Sequence, residues 1–184
     1  IEHPSPVAGE TPLTGAYINH RANDPRGDDL SHSDLRGADF SGMDLTGLDL
    51  SGADLTMADF GGAKLVEAKF KDSLLALANF SNADLTQCLF MGADMRGVSM
   101  QDAKMEKSKL VDCNLASLII KLGTKKKEQT TTRYTVFDGA KLDEAQFMNC
   151  DFTNAKLENV NKDVARFDNC NFAIVEPEEP EADA

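Results

Sequence analysis

From Leu30 to Ile120 every fifth residue is large and apolar, nineteen positions in succession, and a small residue usually stands two places before it. An amphipathic helix repeats its apolar stripe near 3.6 residues and a half-buried strand every 2, so neither holds phase over such a stretch. A coil with four equivalent sides does, provided the fifth residues also carry a longer period. They do: Phe40, Phe60 and Phe80 agree, as do Leu35, Leu55 and Leu75, Leu45, Leu65 and Leu85, and Phe70 with Phe90. Twenty residues therefore make one coil of four short sides.

The same spacing returns in a shifted frame near the C-terminus. Phe147-Met148-Asn149-Cys150-Asp151-Phe152 is echoed by Phe167-Asp168-Asn169-Cys170-Asn171-Phe172. Successive coils are expected to stack at about 4.8 Å and to hydrogen-bond as a parallel sheet does, with like residues forming ladders.

Ala38-Asp39-Phe40-Ser41-Gly42, Ala53-Asp54-Leu55-Thr56-Met57 and Ala83-Asp84-Leu85-Thr86-Gln87 resemble the A-(D/N)-L-x-x unit of pentapeptide repeat proteins, and the resemblance covers residues 30 to 172. It implies an all-β fold, a right-handed quadrilateral β-helix with the central Leu or Phe and the preceding small residue pointing inward. Space requires the same division, because a narrow coil accepts one large side chain per side only where its inward neighbour is small, as Ala58, Ala63, Ala68, Ala78 and Ala93 are. About seven coils, roughly 34 Å long, are expected.

At 184 residues with 41% hydrophobic residues the chain fits one ordered domain with a thin core, and its apolar runs fall short of a bilayer span, so it reads as soluble. Its first residue is Ile1, which suits either removal of a signal or transit peptide or a trimmed chain. Cys88, Cys113, Cys150 and Cys170 all fall on the inward small position, where Cys substitutes for Ala. Among them Cys150 and Cys170, twenty apart, are expected to stack. They are close enough for a disulfide on Cα distance, but parallel side chains favour free thiols. With no C-x-x-C spacing, and His3, His20 and His32 scattered, no metal site or cofactor is expected.

The sequence divides into five parts. Residues 1–28, rich in Pro and Gly, read as an extended leader that begins or caps the coil. Residues 29–120 carry the first repeat block, and residues 137–173 the second. Between them lies a projecting basic loop or insertion, 121–136, with Lys121, Lys125, Lys126, Lys127 and Arg133 against Glu128, a local charge of +4 in a chain of −12. Residues 174–184 read as an acidic disordered tail. Lys162 at an expected core position, after Val160, predicts a small bulge.

Catalysis needs polar groups converging in a pocket. Here polar residues are spread around a filled rod, without a Ser/His/Asp set, an H-E-x-x-H motif or a phosphate-binding glycine loop, so an enzyme is the most distant reading. The chain reads as a non-catalytic scaffold that binds a protein partner, within a larger assembly. The runner-up is implied by the resemblance, whose family includes quinolone-resistance proteins that bind DNA gyrase by mimicking DNA: an inhibitor or protector of a type II topoisomerase. The run Asp29, Asp34, Asp39, Asp44, Asp49, Asp54 and Asp59 would supply the charge, yet a four-sided coil spreads it over all sides and later equivalents are Lys64, Lys69, Lys104 and Lys109. Direct nucleic-acid binding is not expected of so acidic a chain. The basic loop, through Lys125, Lys126, Lys127 and Arg133, is either solvated or contacts an acidic partner or an anionic lipid surface. Outward positions that are apolar, Met57, Leu74, Leu77, Leu89 and Met91, predict a mid-rod strip that marks an interface or is covered by the leader. Proteins of the resembled type occur in the thylakoid lumen, and the resemblance leans toward such a processed chain.

Overall fold

The computed structural model describes residues 29–122 and 129–175. They form the expected right-handed coil of four sides, each side contributing one residue to a parallel ladder. Side a carries Asp34, Asp54, Leu74, Asp94, Asn114, Asp151 and Asn171, seven rungs in all. Side b carries Asp39, Asp59, Asn79, Ser99, Val136 and Lys156, and side c Asp44, Lys64, Asp84, Lys104 and Lys141. Side d carries Asp49, Lys69 and Leu89, then Lys109, Gln146 and Arg166.

Most corners are tight turns closed by a backbone hydrogen bond, as from Ala38 N–H to the Leu35 carbonyl at 3.0 Å. The residue before that donor takes positive φ, as in a type II turn, which explains why Gly37 stands there at +64°. The preceding Asp caps the corner: Asp39 Oδ1 accepts from the Ser41 N–H at 3.0 Å and from the Ser41 hydroxyl at 2.6 Å. The acid of the repeat is thus a structural acceptor for the first N–H of the turn that follows it. Inside, rings stack on rings. Phe40, Phe60 and Phe80 are nearly parallel at 4.9 and 4.8 Å, and Phe70 meets Phe60 edge-on at 6.0 Å.

Most rungs are single bridges, but side d widens into a parallel sheet of four three-residue strands. These are β1 (Leu89–Met91), β2 (Lys109–Val111), β5 (Gln146–Met148) and β6 (Arg166–Asp168). The remaining strands, β3 (Leu118–Leu122) and β4 (Gln129–Arg133), pair antiparallel as a hairpin.

The hairpin corrects the expected boundaries. Ile120 keeps the five-residue phase yet is not a core residue; it pairs with Thr131, half-buried, and the last large core residue before the interruption is Leu115. Nor is 121–136 a single loop, since the insertion begins at Leu118 and Thr135 and Val136 already belong to the rod. Ser117 N–H donates to the Thr153 carbonyl at 2.9 Å, and Val136 N–H donates to the Val98 carbonyl at 3.0 Å. Residues 118–134 therefore leave and rejoin at one corner, and partners once 20 apart become 37 apart, as in Ser99 with Val136 and Asn114 with Asp151.

The new offset also corrects the cysteine pairing, because Cys113 joins Cys150 and Cys170 on consecutive rungs beneath side a. All four cysteines are free thiols, and burial pushes the Cys88 thiol well above its ordinary pKa. The irregularity at Lys162 is a single 3-10 turn, Lys162–Val164, capped by the Asn161 side chain. Its Val164 carbonyl still accepts from Glu144 N–H at 2.9 Å, so the ladder survives.

Candidate functional site

The edge between sides a and b gathers the departures from the repeat. Its turn column runs Met57, Leu77, Gly97 and Ser117, with Met57 N–H bonded to the Ala76 carbonyl at 2.9 Å and Leu77 N–H to the Arg96 carbonyl at 2.9 Å. Met57 and Leu77 hold φ of 63° and 64°, and they are the apolar residues in that conformation among the described ones; the rest are Gly or polar. A bulky side chain in the left-handed region costs roughly 1–2 kcal/mol. Met57 is 63% exposed, so burial of its own side chain does not offset that strain.

The hairpin grows from the same edge. Thr135, fully buried, fastens its root: its hydroxyl accepts from Gly97 N–H at 2.9 Å and lies 3.1 Å from the Ala116 carbonyl as donor. A Cβ at Gly97 would stand 3.0 Å from Leu77 Cδ2 and 3.2 Å from Arg133 Cβ, so Leu77, Gly97 and Arg133 form one close contact. Ile119 and Tyr134 extend the apolar surface at 52% and 40% exposure, and Lys156 Nζ lies 4.5 Å above the Tyr134 ring.

Of the residues singled out in the sequence, the structure joins Met57, Leu77 and Arg133 along this edge, with Leu74 on side a between Asp54 and Asp94. Leu89 and Met91 lie on side d, where Met91, Val111 and Met148 make a second apolar column bordering side a from its other edge. Lys125, Lys126 and Lys127 lie outside the described residues. Ile119, Tyr134 and Lys156 were missed. Ile119 was concealed by the apparent core phase of Ile120, and Lys156 reaches Tyr134 because its rung partner is Val136, two residues after Tyr134, which the sequence reading places in the loop.

Cations stand beside part of the acidic run and beside Asp84. Arg36 bonds Asp34 at 2.6 Å and reaches Asp54 at 3.7 Å, while Lys64, Lys69 and Lys104 approach Asp44, Asp49 and Asp84 at 3.6, 3.8 and 3.9 Å. Donors hold the acids in their charged form: Arg36 keeps Asp34, and the Ser hydroxyls keep Asp29, Asp39 and Asp49, below the usual carboxylate value. Among the described residues no cluster of three or more His, Cys, Asp or Glu is arranged to hold a metal ion. No helix among them is long and apolar enough to cross a membrane.

The family described as Pentapeptide repeats (8 copies) matches residues 29–62, 55–91, 78–115 and 133–161, which together exceed half the chain. The chain is a pentapeptide repeat protein. The gap between the last two matches, residues 116–132, holds β3 and all of β4 but Arg133. No curated protein matches it. Among solved structures it is similar to a pentapeptide repeat protein from the Arabidopsis thaliana thylakoid lumen, at 29% identity and TM-score 0.41, over 82% of this chain and 78% of that one. It is also similar to Rfr23 from the cyanobacterium Cyanothece 51142, at 20% identity and TM-score 0.33, over 70% and 59%. A third is QnrB1, a plasmid-mediated fluoroquinolone resistance protein, at 22% identity and TM-score 0.31, over 79% and 73%.

Proposed function

We propose that this pentapeptide repeat protein is a non-catalytic scaffold that docks a protein partner along the edge running from Met57 through Leu77 to the hairpin. The observation that carries the proposal is the pair of apolar side chains held at left-handed turn positions on the edge that also bears the insertion. At Met57, 63% exposed, that strain has no local compensation, and such strain marks places kept for something outside the fold, whereas Leu77 also packs against Gly97. The surface combines apolar anchors, Met57, Ile119 and Tyr134, with the cations Lys121 and Arg133, and so suits an acidic segment that carries apolar side chains. Lys125, Lys126 and Lys127 add to that charge in sequence, and neutralising them is expected to weaken binding in a salt-dependent way. A setting in the thylakoid lumen belongs to the same proposal.

The DNA-mimic reading has less support. Acids twenty residues apart occur on side a at Asp34 and Asp54, on side b at Asp39 and Asp59 and at the start of side d at Asp29 and Asp49, but Lys64 follows Asp44 on side c and Lys69 follows Asp49 on side d. Affinity purification from the native source, run with the natural chain and with a Met57→Gly, Arg133→Glu variant, separates the readings. A partner lost only from the variant supports docking on the edge. A topoisomerase recovered equally by both contradicts it and favours mimicry.

A further inference from the structure

We propose that β4 accepts an extended segment of the partner as a third strand along Thr130–Thr132, and that this segment carries an apolar and an acidic side chain two residues apart. The proposal rests on the docking reading above and names the form in which the partner binds. Its first support is the state of the hairpin. Among the described residues β3 and β4 pair only with each other, through five residue pairs. A two-stranded hairpin is marginal in water and gains stability from a third strand or a packed face. The fastenings to the rod, Thr135 and the approach of Arg133 to Gly97, both lie at its root, and Ile119 stays 52% exposed.

The two outer sides of the hairpin differ, which is the second support. In an antiparallel pair the backbone groups point alternately to the neighbour strand and away from it, so each outer side offers donors and acceptors. β3 carries Lys121 within its run, and a charged residue is one of the devices that keep foreign strands off. β4 runs Thr130-Thr131-Thr132 with no charge, Pro or Gly among them, three β-branched residues suited to pairing. β4 also lies at the Leu77 side of the root, since a Cβ at Gly97 would stand 3.2 Å from Arg133 Cβ, 3.4 Å from its carbonyl and 3.0 Å from Leu77 Cδ2.

Register and charge supply the side-chain requirement. Ile119 stands opposite Thr132, and Lys121 opposite Thr130, on one face of the hairpin. A third strand on β4 sets two side chains of that face beside Thr132 and Thr130, about 10 Å from β3. An apolar one extends the Ile119–Thr132 pair, and a carboxylate beside Thr130 comes within reach of the exposed Lys121 ammonium.

The probe is a synthetic octapeptide, Thr-Val-Thr-Glu repeated twice, added to the full chain while amide hydrogen exchange is followed by NMR. In the chain alone, only the β4 amides bonded to β3 are expected to exchange slowly. The peptide at about 5 mM is expected to slow the others about fivefold, the effect of a dissociation constant near 1 mM. A control of equal composition, Val-Glu-Thr-Thr repeated twice, puts Val and Glu on opposite faces and is expected to act at least threefold more weakly. Of two peptides N-methylated at alternate residues, one is expected to lose the effect and the other to keep it. Slow exchange of all β4 amides in the chain alone overturns the proposal, because a segment of this chain then holds the site. Slowing that survives both methylations, or a control as effective as the probe, overturns it too. Peptide-induced shifts at Met57, Ile119 and Tyr134 without slowed β4 exchange leave the docking reading standing and remove this one. No response at any of these residues removes it as well, and partner capture by the edge variant then decides the docking reading separately.

Discussion

The coils up to Phe90 and the coil that leads into the hairpin share one turn and one ladder, yet they are filled differently. In the earlier coils like stacks on like, with Phe40, Phe60 and Phe80 in one column and Phe70 on Phe90 at 4.7 Å in another. In the next coil Met95, Met100 and Met105 occupy three of the four core positions, all fully buried. Met100 is then followed on its ladder not by residue 120 but by Phe137. Unbranched, polarizable side chains adapt to irregular neighbours, so the methionines cushion the rungs where the sequence offset jumps. Regular stacking specifies the rod, and a softer core lets the chain leave it and return.

The largest break in that comparison should come from Phe60→Ala, which removes a ring stacked on two others and is expected to cost about 3–5 kcal/mol in denaturant unfolding. Met100→Leu should cost less than about 1.5 kcal/mol; equal losses would show that both coils are packed alike. Gly97→Ala and Gly37→Ala form a sharper pair. Both have φ near +65°, but nothing lies within 4 Å of a Cβ at Gly37, while at Gly97 Leu77 and Arg133 do. The first should cost about 2 kcal/mol and the second about 1, so their difference reads the hairpin contact alone. Ser108→Ala should stabilise by about 1 kcal/mol, because its buried hydroxyl has no hydrogen-bond partner. Met57→Gly should leave stability unchanged or raise it by up to about 1 kcal/mol while weakening partner binding; a clear loss of stability would mean that the side chain serves the fold.

The smallest effect is that of pH. Asp34 has its folded value lowered from 3.8 by its hydrogen bonds to Arg36, so its contribution is complete above that value and is lost as pH falls through the lowered one. Denaturation midpoints should therefore fall below about pH 4, and Asp34→Asn should flatten part of that limb.

The rod was legible because its constraint is local: a large residue every five, a small one two before it, and an acid to cap the turn each leave a mark in the chain. The hairpin was hidden by coincidence, since Ile120 falls on the beat while pairing with Thr131 outside the core. Leu118-Ile119-Ile120 and Thr130-Thr131-Thr132 are β-branched and apolar runs suited to strands, a signal outweighed by the repeat. From that one boundary followed the unseen neighbour of Cys150 and the unseen contact of Lys156 with Tyr134. Which apolar turn residues are strained could not be read at all without φ.

The central claim is that the rod folds without the hairpin and binds through it. Deleting residues 118–134 joins Ser117 to Thr135 and restores the twenty-residue register. Thermal unfolding of this chain, followed with its capture of the native partner, is the most direct measurement. A cooperative transition within a few degrees of the natural chain, with the partner no longer captured, is the predicted result. Loss of the cooperative transition, or undiminished capture by the folded deletion, would contradict it.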